Sequence, residues 1–227
     1  MVNAGIVQAR MSSERFPGKM FYPVFGKPLL GYLLERVSRI KDLNLIVVAT
    51  SANSDDDRIA EFCESQGVAC YRGPLDDVSK RFLEVIDHYR IDNFVRINGD
   101  SPLIDPEVIA RGIKIFLTGD YDVVTNVFPR TYPKGQSVEM LSAGIFAEGF
   151  NLMESSDDHE HVTKYFYRHG DDYKIYNFRF DKDMSNVQLT IDYPEDIKLF
   201  SSIVSRMQKP HWQYGLEDIL KFYHEAH

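Results

Sequence analysis

Five side chains in this sequence have the types and positions that phosphate chemistry requires. Arg10, Arg15 and Lys19 fall within the stretch "QARMSSERFPGK", Gln8 to Lys19, where only Glu14 opposes them. Pro17-Gly18 marks a turn, so the stretch is a bent loop rather than a helix. Cations and turn amides on such a loop can grip phosphates. It is not a Walker A loop, because Ser13 stands where the first glycine would be and Met20 follows Gly18-Lys19, and no G-x-G-x-x-G fingerprint occurs. Asp100 and Asp192 supply the opposite charge, each closing an apolar run, in "FVRINGDSPLID" and "VQLTIDYPEDIKLF". Mg²⁺ is commonly held by one or two carboxylates together with phosphates, so two strand-end acids beside a cationic loop suit it. The plainer alternatives are a solvated turn and two ordinary turn aspartates.

What decides between these readings is where the elements place the residues. "AGIVQA" (Ala4–Ala9), "LNLIVVAT" (Leu43–Thr50), "VACY" (Val68–Tyr71) and "FVRIN" (Phe94–Asn98) have the β-branched character of strands. Pro28–Ile40, Asp55–Gln66 and Asp77–Arg90, between them, carry apolar residues at helical spacing. Asp105-Pro106 opens a further helix to about Leu117. Strand–helix alternation of this kind predicts an α/β fold, a mostly parallel sheet with helices on both faces. Ligands bind such sheets at the carboxyl ends of the strands, which is where the cationic loop and Asp100 fall. Further on, Tyr121–Asn126, Val138–Ser142, "YKIYNFRF" and "VQLTI" are predicted strands, and 158–168, Pro194–Met207 and Gly215–His224 predicted helices. We read residues 1–227 as a single domain, with 129–160 as a substrate or dimerisation insertion.

Bulk properties narrow the partners. The 227 residues carry a formal net charge of −8, which repels nucleic-acid backbones, so no nucleic-acid partner is expected. Cys63 and Cys70 form no C-x-x-C or zinc pattern and suit a reduced, cytoplasmic chain. The longest apolar run, Leu45–Ala49, is far too short to span a bilayer, so no membrane association is expected, and no secretory signal is read at the start.

Seven segments, "VQARMSSERFPGK", "ATSANSDDD", "YRGPLDDVSKRF", "RINGDSPLIDP", "RTYPKGQSVEMLS", "HEHVTKYF" and "LTIDYPEDI", resemble in order the spore-coat-polysaccharide cytidylyltransferase family. That family is similar to CMP-Kdo and CMP-sialic acid synthetases. The resemblance implies a nucleotide-binding fold of the GT-A or Rossmann-like kind, CTP as donor, a sugar-acid acceptor, Mg²⁺ as cofactor and a homodimer. Carried over by position, Arg10, Arg15 and Lys19, with Ser13, would hold the triphosphate, and Asp100 and Asp192 the metal. Arg72, Ser79 and Asn98 would lie near the cytosine. Arg130, Tyr132, Gln136, Glu139 and His161 are candidates for the acceptor side.

A sugar hydroxyl attacking the α-phosphorus of CTP with loss of pyrophosphate asks mainly for positioning and charge stabilisation. The loop is expected to be exposed, so that Arg15 and Lys19 could be changed at little cost to stability. Two rivals are a GT-A glycosyltransferase and a nucleotide sensor with a dead site, alongside transfer to another acceptor or from another nucleotide. The first wants a D-x-D after a strand, and Asp120-Tyr121-Asp122 instead precedes one; the second would have lost a cation or a carboxylate.

Overall fold

The structure, a computed structural model, describes residues 1–226; residue 227, the last of the expected domain, lies outside the described residues. β1 (Asn3–Gln8) is followed by the loop in question and a short hairpin, β2 (Pro23–Val24) and β3 (Lys27–Pro28). Then come α1 (Leu29–Val37), β4 (Leu45–Ser51), α2 (Asp57–Ser65), β5 (Ala69–Gly73), α3 (Val78–Tyr89) and β6 (Asn93–Asn98). The second half contributes α4 (Pro106–Phe116), β7 (Val123–Thr125), β8 (Glu139–Ser142), α5 (Ala143–Phe150), α6 (Ser156–Glu160) and α7 (Lys164–Arg168). β9 (Ile175–Asn177), α8 (Asp196–Ser205) and α9 (Leu216–Glu225) close the chain.

Seven strands form one sheet in the order β5-β4-β1-β6-β8-β7-β9. β1 runs parallel to β4 and β6, β8 is antiparallel to β6 and β7, and β7 is parallel to β9. Within 129–160, therefore, β8 is a strand of the main sheet. Strand alternation sorts the core into two layers. Val7, Val48, Val95 and Ile97 pack with α1, α2, α4, α8 and α9, whereas Ile6, Val47, Ala49 and Phe94 pack with α3, α5 and α7.

Local signals explain most boundaries. The Asp77 carboxylate accepts from Lys80 N–H at 2.7 Å and starts α3, and Asp105 accepts from Glu107 N–H at 2.9 Å to start α4. Three expectations are corrected. The helix over 158–168 breaks into α6 and α7 at Val162, fully buried with φ +24°. "VQLTI" forms no strand; Gln188 makes only an isolated parallel bridge to Lys134, with Leu189 N–H donating to Lys134 O and Ile191 N–H to Asp100 O, both at 2.9 Å. "YKIYNFRF" contributes only the three residues of β9.

Candidate active site

β1 and β6 end side by side, with Gln8 opposite Asn98 and Gly99 N–H donating to Gln8 O at 2.9 Å. A Cβ at position 99 would lie 2.8 Å from that carbonyl and 3.1 Å from Ala9 Cβ, so this close approach requires glycine. β4 and β6 flank β1 on opposite sides, and the connections leaving β1 and β6 open a crevice at the switch point.

The loop after β1 is pinned by its own backbone and by Asp56. Ser13 N–H and Gly18 N–H both donate to Met11 O at 2.9 Å, and Met11 N–H donates to Asp56 Oδ1 at 2.7 Å. Gly18, at φ +73°, makes the turn that its place after Pro17 predicts. Arg10, Ser13, Arg15 and Lys19 thereby line one cavity of about 470 Å³ together with Asn98 and Asp100. The loop is anchored at its end, where Lys19 is only 6% exposed, while Ser12, Glu14, Arg15 and Pro17 are exposed. Its Nζ donates to Ile191 O at 2.6 Å and lies 3.4 Å from Asp100 Oδ2. That corrects the expectation that Lys19 could be changed at little cost to stability.

Arg15 remains exposed and pairs with Asp192 Oδ1 at 2.7 Å, its guanidinium 5.2 Å from the centre of the Tyr193 ring. The Tyr193 hydroxyl, and then the Asp192 carboxylate, raise the Arg15 pKa further above its ordinary value. Asp192 Oδ2 accepts from Thr190 Oγ1 and Gln188 Nε2, both at 3.0 Å, so its orientation is fixed. No side chain caps α8 at Glu195; Asp196, its first residue, folds its carboxylate back to accept from the backbone of Asp192 and Tyr193 at 2.7 and 2.8 Å, which fixes the approach to the helix. The bond from Ile191 N–H to Asp100 O ties the two acid-bearing segments together. Asp100 lines the cleft with Arg15 and Lys19, while Asp192 stands outside the cavity lining and joins the cluster through its pair with Arg15.

An adjoining cavity of about 290 Å³ shares Gln8, Ala9, Arg10, Arg15, Asn98, Asp100 and Glu160 and adds Val78, Arg81, Arg96 and His161. Of the residues expected on the acceptor side, His161 lines it. The others are placed elsewhere. Arg130 bonds to Ser137 Oγ at 2.9 Å, and burial lowers its pKa. Tyr132, 2% exposed, accepts from Arg111 at 3.1 Å on the far side of α4. Gln136 is fully buried, taking Asp105 N–H and donating to Leu103 O, both at 2.8 Å, so it latches two loops. Glu139 lies behind the cleft, bonded to Arg96 at 2.9 Å. Arg72 points back to the β4–α2 connection, donating to Ser51 O and Asn53 O at 3.2 and 2.9 Å and pairing with Asp57 at 2.6 Å. Ser79 is buried and donates to Asp158 O at 2.8 Å, joining α3 to α6.

Arg81 and Arg96 are the residues that our sequence reading did not single out. A signal for Arg96 existed: residues 96, 98 and 100 alternate, so a charged side chain two before Asn98 shares its face.

The cytidylyltransferase family profile matches residues 4–219, and the chain belongs to that family. It is 32% identical over 213 residues to the spore coat polysaccharide biosynthesis protein SpsF of Bacillus subtilis, covering 90% of this chain and 85% of that one. A 3-deoxy-manno-octulosonate cytidylyltransferase of Zea mays is 41% identical over 111 residues, 46% of this chain and 35% of that protein. Among solved structures, a cytidylyltransferase from Leptospira borgpetersenii serovar Hardjo-bovis superposes with a TM-score of 0.95 at 29% identity, covering 99% of this chain and 94% of that one.

Proposed function

We propose that this cytidylyltransferase activates a sugar acid of the Kdo or nonulosonate type with CTP, giving a CMP-sugar and pyrophosphate for surface polysaccharide synthesis. The observation that carries the reading is the single cleft in which Arg10, Arg15 and Lys19 face Asp100 and open directly into a second, polar cavity. Support for the acceptor class comes from the spore-coat and octulosonate relatives.

In the step, an acceptor hydroxyl oxygen forms a bond to the α-phosphorus. The bond from that phosphorus to the bridging oxygen of the leaving group breaks, and the hydroxyl proton passes to solvent in the open cleft. Arg15 and Lys19 neutralise charge that grows on the departing pyrophosphate, a contribution larger in the transition state than in the bound substrate. Asn98 sits between the two cavities and orients whatever spans them.

Asp100 and Asp192 would hold Mg²⁺. Their oxygen-only donor set fits that ion, and among the described residues no group of three or more His, Cys, Asp or Glu could hold a metal alone, so phosphate oxygens would complete the shell. When bound, the ion polarises phosphoryl oxygens and offsets their charge. The reading extends to a cytoplasmic homodimer. Sedimentation at the mass of one chain would remove the dimer. Among the described residues no helix is long and apolar enough to cross a membrane.

A pyrophosphate-release screen of four nucleoside triphosphates against Kdo, N-acylneuraminates and neutral sugars tests the proposal. Turnover is expected with CTP and a sugar acid. Equal turnover of ATP and CTP, or turnover with neutral sugars alone, would contradict it.

A further inference from the structure

The second cavity is lined by Arg10, Arg15, Arg81 and Arg96 against the acids Asp100 and Glu160, which is more positive charge than a nucleoside needs. Arg96, on β6, is rigidly held: its Nε donates to Gln8 Oε1 at 3.0 Å, and its Nη1 to Glu139 Oε2 at 2.9 Å and Thr163 Oγ1 at 3.2 Å. Glu139 is itself locked, accepting from Thr163 Oγ1 at 2.6 Å and from the Tyr167 hydroxyl at 2.7 Å. Burial works to raise its pKa, but the Arg96 charge and these donors hold it below the ordinary value, so the carboxylate stays ionised behind the arginine. Arg96 Nη2 has no protein partner among the described residues, and the side chain lines the cavity.

Arg81 lines the same cavity from α3 and is 2% exposed. Its Nη1 donates to the carbonyls of Pro74 and Leu75, its Nε has no partner, and among the described residues no carboxylate lies within ion-pair distance of it. Asp56, Asp77 and Glu84 offset part of its charge from beyond ion-pair distance, and a ligand anion in the cavity would supply the direct partner that a buried guanidinium wants. Burial, and then the nearby Arg10, bring its pKa down to about 10, which leaves it charged at neutral pH. Arg10 and Arg15 line both cavities and can serve the triphosphate with Lys19, whereas Arg81 and Arg96 line only the second, and pyrimidine and ribose are neutral.

We propose that Arg96 and Arg81 form an anion subsite for the carboxylate of the acceptor, making the enzyme select acidic over neutral sugars. Glu139 is the positioning residue that aims Arg96. The inference rests on the cytidylyl-transfer reading above.

The test compares Kdo, or an N-acylneuraminate if that turns over faster, with the analogue whose carboxylate is reduced to an alcohol. Wild type should favour the acid by on the order of a hundredfold in kcat/KM, as expected when buried polar groups are left unpaired. In Arg96→Gln the preference should fall to within about fivefold, through the KM for the acid, while the KM for CTP changes by less than about threefold. Arg96→Gln strands Glu139 in the interior and risks unfolding. The Arg96→Gln/Glu139→Gln double variant restores neutrality, and Arg81→Lys probes the other arginine with its charge retained; both should lose the same preference. A preserved preference in folded variants, or a rise confined to the KM for CTP, would overturn this subsite while leaving cytidylyl transfer to acids intact. Turnover of neutral sugars alone would overturn both.

Discussion

Lys19 and Arg15 share a loop but are tied into the structure differently, and their variants should separate accordingly. Arg15 is exposed, so Arg15→Ala should cost within about 0.5 kcal/mol of stability. Lys19→Ala leaves Ile191 O and Asp100 without their buried partner and should cost about 1–3 kcal/mol. Both should lower kcat/KM for CTP. Thermal melts alongside kinetics check this, and equal stability losses would contradict the structural difference. The two acids make a second residue-scale prediction. Asp100→Asn and Asp192→Asn should each reduce turnover by about a hundredfold or more, since each ~1.4 kcal/mol is tenfold. The double variant should lose much less than the product, because the pair acts as a unit. Turnover titrated against Mg²⁺ reads this directly; wild-type rates in either single variant would remove the proposed metal role.

At the scale of elements, the segment before α9 is docked on α1 by buried polar groups. Arg36 donates to Ile104 O at 2.6 Å, to Tyr214 O at 2.8 Å and to His211 O. The His211 ring pairs with Glu35 at 2.7 Å. Burial pushes the His211 pKa down from 6.5 to about 4, against the Glu35 contact. Between those values the unfolded chain binds a proton that the folded chain refuses, so stability falls as pH drops from about 6.5 towards 4. Glu35 acts in the same direction. Burial opposes its ionisation, but hydrogen bonds from Lys27 and His211 hold its pKa below the ordinary value, so its contribution is lost on acidification. Denaturant titrations at pH 7, 5.5 and 4.5 should show the stability gap between wild type and His211→Gln narrowing with acid, and a constant gap would refute the assignment. The elements themselves were unevenly legible. Strands β1, β4, β5 and β6 announce themselves through β-branched runs, α3 through its helical apolar spacing and α4 through Asp105-Pro106. α5 did not, because "AGIFAEGF" holds two glycines, poor helix formers. Gly149 is nonetheless required there, since a Cβ would lie 2.5 Å from the Phe166 ring. "VQLTI" carries strand chemistry, but its hydrogen bonds go to Lys134 and Asp100 rather than to a ladder, which no local pattern reveals.

For the whole molecule, the sheet order converts sequence-distant residues into one site. The loop cations and Asp100 were readable because both follow predicted strands, and sheets of this class bind ligands at strand ends. Asp192 was readable as an acid closing an apolar run, though its proximity to Arg15 depends on a long-range contact. The acceptor side was not: Tyr132, Gln136 and Arg130 have suitable chemistry, but the fold spends them on packing and loop latching. Arg72 likewise looked available and is held instead by Ser51, Asn53 and Asp57. Side-chain direction at the end of a strand is a tertiary property, and a single sequence does not carry it. The central claim is cleavage between the α- and β-phosphates of CTP with transfer of the cytidylyl group. Phosphorus NMR of a reaction containing CTP, Mg²⁺ and the preferred sugar acid tests it most directly. Equal amounts of pyrophosphate and a CMP-sugar phosphodiester are predicted. Appearance of CDP and inorganic phosphate, or consumption of CTP with no phosphodiester formed, would contradict the account.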